Sequence, residues 1–382
     1  MSEPAPEKEP DLICLSHLRW DFVFQRPQHL LTRCGRERRV YYVEEPIFDA
    51  TGAPRLELRP SGCVTVVVPH LTPNCARQEI LTRLINEFME MESIERYVLW
   101  YYTPMALEFT AHLEPEAVVY DCMDELSGFA NAPAELRTRE AQLMERASVV
   151  FTGGQSLYEA KRHAHSNIHP FPSSVDVDHF AQARRITRDP EDQAGMPHPR
   201  LGFFGVIDER MDLELLAGVA VARPEWHLVM LGPVVKIDPA TLPTLPNIHY
   251  LGSKTYQELP RYIAGWDVAL LPFARNDATR FISPTKTPEY MAAGKPVVST
   301  SIRDVVRPYG QQGLVRIADT VDDFVAACDA ALIEDPVVRM RNHDVFLRQT
   351  SWDGTWTRMR HHVDSILKGT SQPTAARAAG DS

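Results

Sequence analysis

Short runs of apolar residues, each bounded by polar residues, recur along the first half of the chain and are typical of buried strands. These runs lie at residues 11–16, 39–44, 64–69, 97–100, 117–120 and 148–151. Between them, apolar residues recur at the spacing of amphipathic helices, from about residue 27 onward, over 76–91 and over 134–146. Alternating strands and helices predict βαβ units built around a mostly parallel sheet.

The same alternation restarts after a polar, proline-containing segment at residues 182–199, which we interpret as a linker between two domains. The predicted strands of the second half lie at 200–205, 227–232, 248–252, 268–272 and 296–300, and its predicted helices at 213–222, 256–264 and 322–333. The prediction is an α/β protein whose parts are a first domain at 11–181, a second domain at 200–345, a final helix at 346–368, and disordered tails at 1–10 and 369–382. Two doubly wound domains place a ligand in the crevice at the carboxyl ends of their strands.

Composition narrows the class of protein. The chain has 382 residues, of which 44% are hydrophobic and 24% charged, as in ordinary globular proteins. No apolar run approaches the roughly 18 residues of a membrane span, which excludes an integral membrane protein. Forty basic residues against 51 acidic ones give a net charge of -11, which argues against nucleic acid as a partner.

The compartment is predicted from the N-terminus and the cysteines. The first eleven residues are acidic and rich in proline, the opposite of a secretory signal. The six cysteines are scattered without a C-x-x-C pair, so neither a zinc site nor a disulfide framework is expected. We therefore predict a reduced, cytoplasmic protein.

The strongest local signal for chemistry lies between residues 276 and 298, after a predicted strand. Ser283-Pro284 and Thr287-Pro288 are both helix-start signals, and the sequence does not choose between them. Arg280 and Lys286 lie near this helix start, where cations are favourable if an anion such as phosphate binds. Glu289, one turn further, is an acceptor for a ribose diol. The alternative is a surface pair between Lys286 and Glu289, which is worth about 0.3 kcal/mol.

This stretch also resembles a known family. The pattern Pro284-x-Lys286-x-x-Glu289-Tyr290-x-Ala292-x-Gly294-x-Pro296-Val297-Val298 resembles the nucleotide-sugar site of GT-B glycosyltransferases of the glycogen-synthase-like group. Residues 203–210, 250–260 and 266–272 resemble, in order, the family's glycine turn, the segment beside the nucleobase and the strand before the donor loop. Residues 20–29 resemble a bacterial subgroup that builds surface polysaccharides.

The resemblance implies a fold and a set of donor-binding residues. The fold would be two Rossmann-like domains that face each other across a cleft, with the final helix returning to the first domain. The donor-binding residues would be Gly205, Arg210, Tyr250, Leu251, Arg280, Ser283, Lys286 and Glu289.

The sequence departs from the family at three positions. Many retaining members carry a first glutamate that helps to hold the donor sugar, and that position here is Phe281. The usual arginine after the glycine turn is Val206, and Arg210 stands in place of a lysine. We expect Arg280 to supply the missing charge.

Catalytic and acceptor-binding groups are expected from the first domain. Asp121 and Asp124 follow a predicted strand, where paired carboxylates can divide acid, base and anchoring roles. The alternative is that both acids only cap a loop or a helix. His17, after the first strand, is a candidate base or a structural histidine. Acceptor-binding candidates are Arg19, Trp20, Asp21 and Arg26, whose arginines are explained equally well by loop salt bridges.

Two further patterns concern partners and cofactors. Five arginines at positions 26, 33, 36, 38 and 39 form a basic cluster that fits either docking to an anionic membrane or a solvated helix face. Asp176-Val177-Asp178 has the letters of a metal-binding motif, but it precedes the linker and we interpret it as structural. We expect neither a metal nor another cofactor.

The sequence thus predicts a metal-independent, retaining transfer of a sugar from a nucleotide-diphosphate sugar to a glycan, lipid-linked or small-molecule acceptor. The setting is the cytoplasm, with the inner face of the membrane as the site of any peripheral contact, and the process is surface-polysaccharide synthesis. The alternatives are a nucleotide-sugar epimerase of the same fold, a non-catalytic sugar-binding protein, and a dehydrogenase, for which no G-x-G-x-x-G turn occurs.

Overall fold

The computed structural model describes residues 9–130 and 132–370, and these form two sheets with helices on both faces. The strands of the first sheet are Asp11–Leu15 (β1), Val40–Val43 (β2), Arg55–Ser61 (β3), Val64–His70 (β4), Tyr97–Tyr101 (β5), Ala117–Cys122 (β6), Val149–Thr152 (β7) and Ile168–Pro170 (β8). Their order is β3-β4-β2-β1-β5-β6-β7-β8, and every pairing is parallel except that of β3 with β4. The accompanying helices are Arg26–Cys34 (α1), Arg77–Met91 (α2), Leu107–Thr110 (α3), Leu136–Arg146 (α4) and Gln155–Lys161 (α5), whereas the next helix, Val177–Ala181 (α6), packs in the core of the second domain through Phe180.

The second sheet repeats this architecture. Its strands are Arg200–Phe204 (β9), His227–Leu231 (β10), Ile248–Tyr250 (β11), Val268–Leu271 (β12), Val297–Ser299 (β13) and Arg316–Ile317 (β14), all parallel in the order β11-β10-β9-β12-β13-β14. The remaining helices are Glu191–Ala194 (α7), Leu213–Ala222 (α8), Leu259–Ala264 (α9), Lys286–Ala292 (α10), Arg303–Val305 (α11), Val321–Leu332 (α12), Pro336–Leu347 (α13) and Trp352–Thr370 (α14). Short 3-10 turns lie at Pro104–Ala106, Leu126–Gly128, Gln182–Arg184 and Pro239–Thr241, and a π turn lies at Val306–Gly310.

The strand orders locate the crevices. Strand order reverses between β1 and β5 in the first sheet and between β9 and β12 in the second. At such a reversal, the loops that follow the two adjacent strands run to opposite faces of the sheet. The gap that opens between these loops is where ligands bind. The loops after β1 and β5 and those after β9 and β12 therefore border these gaps, and the loop after β6 lies next to the first of them.

The final helix returns to the first domain, as the resemblance implied. Trp352, Trp356, Met359, Val363 and Leu367 of α14 are buried in one apolar cluster with the first-sheet residues Leu12 and Trp100. The ring of Trp352 stacks on His29 of α1 at 4.5 Å. Parallel sheets must be covered on both faces, and α14 covers part of one face of the first sheet.

The structure corrects several predicted boundaries. Residues 9 and 10 belong to the packed domain, because the carboxylate of Glu9 and the carbonyl of Pro10 both accept hydrogen bonds from Arg38. The proposed linker 182–199 contains a 3-10 turn and α7. Its Gln193 is buried, and the side-chain oxygen of Gln193 accepts a hydrogen bond of 3.1 Å from the indole N–H of Trp266. Strand β3 and helix α13 were missed, and α14 continues to residue 370. The predicted disorder at residues 1–8 and 371–382 lies outside the described residues.

The two domains contact each other beside α5. The Oδ1 of Asp304, from the second domain, accepts a hydrogen bond of 2.9 Å from the backbone N–H of Ser156 in the first turn of α5. Arg303 forms an ion pair with Glu159 of the same helix. A Cβ at Gly154 would lie 2.1 Å from Oδ2 of Asp304 and 2.9 Å from Cβ of Ser283. The close approach of the domains therefore depends on a glycine at this position.

Substituting Gly154→Ala is expected to hold the domains apart. Overpacking of this kind typically costs about 1–3 kcal/mol, enough to shift the balance between closed and open forms by roughly ten- to a hundredfold. Small-angle X-ray scattering should show a larger radius of gyration than in the wild type. Gly52→Ala is the matched control, since no described atom lies within 4 Å of its added Cβ. A radius of gyration equal to that of the wild type for Gly154→Ala would contradict the interpretation.

Candidate functional site

The carboxyl end of β9 is shaped for close approach to its neighbours. Gly205 directly follows β9 with a φ of +139°, a conformation that residues with a side chain rarely adopt. A Cβ at this position would lie 2.1 Å from Cε of Lys286. The next strand, β10, ends in the same way at Gly232, whose φ is also +139° and whose added Cβ would lie 1.8 Å from the Gly205 carbonyl oxygen. The lysine side chain is therefore packed directly on the glycine turn.

Lys286 and Glu289 occupy a desolvated environment at the start of α10. The amine of Lys286 lies 5.9 and 5.7 Å from the ring centroids of Phe203 and Phe204, and burial lowers the pKa of this lysine. Burial raises the pKa of Glu289 to about 7, against the opposing charge of Lys286. The Oε2 of Glu289 is buried and has no hydrogen-bond partner among the described residues. A buried amine and a carboxyl group with one unpartnered oxygen thus lie one helical turn apart at the switch point.

The structure resolves the choice of helix start differently from either predicted signal. Helix α10 begins at Lys286, after Thr285, rather than after Ser283 or at Thr287. The backbone at Gly294 has a φ of +77° and follows the helix, as its sequence pattern predicted.

The loops after β9 and β12 are joined to each other. Arg210 forms an ion pair with Asp208 at 2.7 Å, and the Arg210 carbonyl accepts a hydrogen bond from the backbone N–H of Ala274 at 2.8 Å. The side-chain amide of Asn276 donates to the carbonyl of Glu209 at 2.8 Å. These bonds fix the position of Arg210 next to the cleft.

The first domain presents Asp124 and His17 to these cations. Burial raises the pKa of Asp124, while the positive charges of Arg210, Lys236 and Lys286 from the second domain oppose that shift. Burial, assisted by the charge of Lys236, lowers the pKa of His17 to about 4, so its imidazole is neutral at pH 7. The Nδ1 of His17 has no hydrogen-bond partner among the residues that the structure describes. Both predicted groups therefore face the second domain.

Asp121 and Arg26 are not brought to the cleft. Strand β6 extends through Cys122, so Asp121 lies inside the strand rather than in the loop after it. Its carboxylate pairs with Arg26 at 2.8 Å, and both side chains are at most 1% exposed. Arg26 also donates to the carbonyl of Phe171 at 2.7 Å. This pair is part of the interior of the first domain, which corrects the predicted catalytic and acceptor-binding roles.

The other predicted acceptor-binding residues mainly hold the loop after β1 in place. Arg19 pairs with Glu44 at 2.9 Å, and Asp21 pairs with Arg59. Trp20 is buried, and its indole donates to the hydroxyl of Ser61 at 2.9 Å. These contacts within the first domain explain the positions of the three side chains without a bound acceptor. Their role in acceptor binding stays a prediction.

The remaining predicted donor residues lie around the same edge of the second sheet. Tyr250 ends β11 and donates from its hydroxyl to the carbonyl of Pro243 at 3.3 Å, and Leu251 follows it. Ser283 lies at the domain contact opposite Gly154. Arg280 is exposed, and its guanidinium lies 5.1 Å from the ring centroid of Phe281.

A cavity of about 1000 Å³ lies between the two domains. Its lining includes Lys161 and Phe129 from the first domain and Glu209, Arg280 and Phe281 from the second. The ring of Phe129 lies under two second-domain cations, 5.5 Å from the guanidinium carbon of Arg210 and 4.7 Å from the amine of Lys236. The cavity is thus bordered by charge and by aromatic rings from both domains.

Sequence reasoning missed Phe129, Lys236 and Glu209. Each lies in a loop whose importance depends on the approach of the opposite domain, which local spacing does not reveal. Lys236 has a φ of +63°, but such a conformation cannot be read from a lysine in the sequence. Glu209 directly precedes the predicted donor-binding residue Arg210, and this position could have identified it as a candidate site residue.

The described residues show neither a metal-binding cluster nor a membrane-spanning helix. Among residues 9–130 and 132–370, no group of three or more His, Cys, Asp and Glu side chains is arranged to hold a metal ion. Asp176 accepts a hydrogen bond from the backbone N–H of His179 and caps α6, which accounts for the Asp-x-Asp pattern. None of the helices in the described part of the chain is long and apolar enough to cross a membrane.

The basic cluster of the first domain is largely neutralised by acids. Arg33 pairs with Asp353, and Arg38 with Glu9. Arg39 pairs with Asp11 and Arg26 with Asp121, which leaves Arg36 as the exposed member of the group.

Most of the second domain matches a known protein family. Residues 198–334 match the family described as Glycosyl transferases group 1, and this segment contains Gly205, Arg210, Lys286 and Glu289. Over 257 residues the chain is 27% identical to a "Putative teichuronic acid biosynthesis glycosyltransferase TuaH" of Bacillus subtilis (strain 168). The aligned stretch covers 62% of this chain and 64% of that relative.

Solved structures match over almost the whole chain. Sucrose-phosphate synthase from Thermosynechococcus elongatus superposes with a TM-score of 0.73 at 13% identity, covering 94% of this chain and 100% of that one. Anabaena Alr3699/HepE in complex with UDP and glucose gives a TM-score of 0.63 at 16% identity, covering 93% and 99%. A trehalose-6-phosphate protein from E. coli bound with UDP-2-fluoro glucose gives 0.67 at 12% identity, covering 94% and 99%. The fold is GT-B, two Rossmann-like domains facing each other across a cleft, which confirms the prediction.

Proposed function

We propose that this chain is a glycosyltransferase that moves a sugar from a nucleotide-diphosphate sugar to an acceptor in cell-surface polysaccharide synthesis. The family matched by residues 198–334 and the relative in teichuronic acid biosynthesis both support this assignment. The nucleotide sugar is a co-substrate, and no further cofactor is part of the proposal.

The observation that carries the proposal is the packing of Lys286 on the Gly205 turn. A glycine turn after a parallel strand lets a diphosphate approach the backbone, and the amine stands where the diphosphate would lie. Arg210 and Lys236 lie over the same ring, that of Phe129, and both act with Lys286 on the charge of Asp124, so the three cations are close to one another at the cleft. Glu289, with a free carboxylate oxygen, would accept hydrogen bonds from the ribose hydroxyls.

In the proposed reaction these cations stabilise the negative charge that grows on the leaving diphosphate. Such stabilisation is strong where water is excluded, and burial of Lys286 indicates such a place. Asp124 and the neutral imidazole of His17 approach from the first domain, where they would orient or deprotonate the acceptor hydroxyl. The resemblance favours retention of the anomeric configuration. The proton NMR coupling constant at the anomeric centre of the product distinguishes retention from inversion.

The acceptor and the cellular location extend the proposal. A glycan, a lipid-linked sugar or a small molecule would enter from the first-domain side of the cleft. We place the protein in the cytoplasm. Docking to an anionic membrane would rest on Arg36, since the other four arginines of the cluster pair with acids.

A donor screen tests the assignment. Thermal unfolding is followed with UDP-, GDP- and dTDP-sugars, and a ligand at a hundred times its Kd should stabilise the protein by about 2.7 kcal/mol. We expect an increase in Tm with sugars of one nucleotide and none with the free sugars. An absence of any shift with all three nucleotide classes would refute the proposal.

A further inference from the structure

Glu209 is a carboxylate in the wall of the interdomain cavity that the contacts described above leave without a function. It lies between Asp208 and Arg210 in the loop after β9 and lines the cavity of about 1000 Å³. Its backbone is fixed by the hydrogen bond from the side-chain amide of Asn276 at 2.8 Å. Both of its side-chain oxygens are shielded from solvent and accept no hydrogen bond from the residues that the structure describes.

An enclosed carboxylate without a partner is unfavourable in a ligand-free protein. Such a group is retained where a ligand supplies the missing hydrogen-bond donors. The positive charge of Arg210 lies close enough to interact with Glu209 electrostatically, but the two side chains form no ion pair within 4 Å. Both side-chain oxygens of Glu209 therefore keep their capacity to accept hydrogen bonds.

The other groups of the cavity restrict what the ligand can be. Glu125 and Glu140 are occupied by Lys161, at 2.7 and 2.8 Å, so they offer little to a ligand. Phe129 and Phe281 present aromatic rings to the same space. Rings beside a free carboxylate suit a ligand that has both apolar C–H faces and hydroxyl donors, which is the chemistry of a pyranose.

We propose that Glu209 accepts hydrogen bonds from hydroxyl groups of the transferred sugar and determines which donor sugar is used. This inference rests on the proposed glycosyltransferase function and deepens it. The sugar is that of the donor rather than of the acceptor because Glu209 directly precedes Arg210. The other second-domain wall of the cavity, residues 276–281, also leads into the segment that ends at Lys286.

Binding is measured by calorimetry with three matched pairs of probes, namely UDP and UDP-glucose, GDP and GDP-mannose, and dTDP and dTDP-glucose. One of these three pairs of probes is expected to bind the wild type. For that pair, Glu209→Gln should raise the Kd of the nucleotide sugar about tenfold, because the variant loses one charge-assisted hydrogen bond to the sugar. The same variant should change the Kd of the free nucleoside diphosphate less than twofold. Glu225→Gln is the matched control and should change neither Kd, because Glu225 belongs to the same domain but is exposed and is not one of the residues that line the cavity.

The ligand-free stability separates a binding role from a structural one. Removing an unpaired enclosed charge should leave the Tm of Glu209→Gln equal to or higher than that of the wild type. A lower Tm together with an equal loss of affinity for both members of a pair would assign Glu209 a structural role and overturn the inference. Unchanged affinity for the nucleotide sugar would overturn it as well, while leaving the glycosyltransferase proposal intact. A wild-type protein that binds none of the six probes would overturn both.

Discussion

Replacing Lys286 by methionine is expected to lower kcat/KM for the nucleotide sugar by about 10²- to 10³-fold, the usual effect of removing one preorganised charge from a developing anion. The amine is packed on the Gly205 turn and lies in a desolvated environment, where its interaction with a diphosphate is strong. Methionine keeps the length of the side chain and its contact with the glycine turn. The measurement is steady-state turnover with the nucleotide sugar found by thermal shift.

The matched control for this prediction is Arg223→Met. Arg223 belongs to the same domain, but it follows α8, pairs with Asp329 and lies over the ring of Trp226. Its substitution should leave turnover within about twofold of the wild type, since exposed pairs contribute little. Because burial lowers the pKa of Lys286 and makes its charge costly, Lys286→Met should fold with an undiminished Tm. Turnover of Lys286→Met within threefold of the wild type would remove Lys286 from the proposed mechanism.

Replacing Arg26 by methionine is expected to lower the free energy of unfolding by about 3–5 kcal/mol, because it leaves the carboxylate of Asp121 buried without its partner. Combining Arg26→Met with Asp121→Leu should recover most of this loss, since an apolar pair of similar volume replaces both charges. Thermal unfolding of the wild type, Arg26→Met, Asp121→Leu and the double variant measures the cycle. Arg36→Met, in an exposed residue of the same cluster, should change stability by less than about 0.5 kcal/mol.

The outcome of the Arg26 cycle also decides between two interpretations of the pair. A double variant that is both stable and active would show that Asp121 and Arg26 act only in packing, as their burial indicates. A double variant that regains stability but loses turnover would restore a role for the pair in the reaction.

The sequence predicted the two sheets well because the apolar runs of parallel strands are continuous and are separated by helical periodicity. It also placed Lys286 and Glu289 at the start of the helix that follows β12, since a motif of fixed spacing carries them. It misplaced Asp121 because a charged residue after an apolar run suggests the end of a strand. The partner that lets this charge stay inside the strand, Arg26, is 95 positions away in the chain.

The same limit applies to the cavity. Phe129, Lys236 and Glu209 come together only when the loops of both domains meet, and their separation in sequence carries no periodic signal. Strand β3 was missed for a different reason. It is the antiparallel edge strand of its sheet, with alternating exposure and no continuous apolar run.

The position of α14 has a consequence for how the chain is made. The first domain is assembled from two separate pieces of sequence, and the piece that supplies Trp352, Trp356 and Met359 is translated after the whole of the second domain. The first domain to leave the ribosome is therefore the last to complete its core. The polypeptide also passes between the domains twice, once before α6 and once between α13 and α14. A fragment that stops before residue 352 would lack both this second connection and part of the core of the first domain.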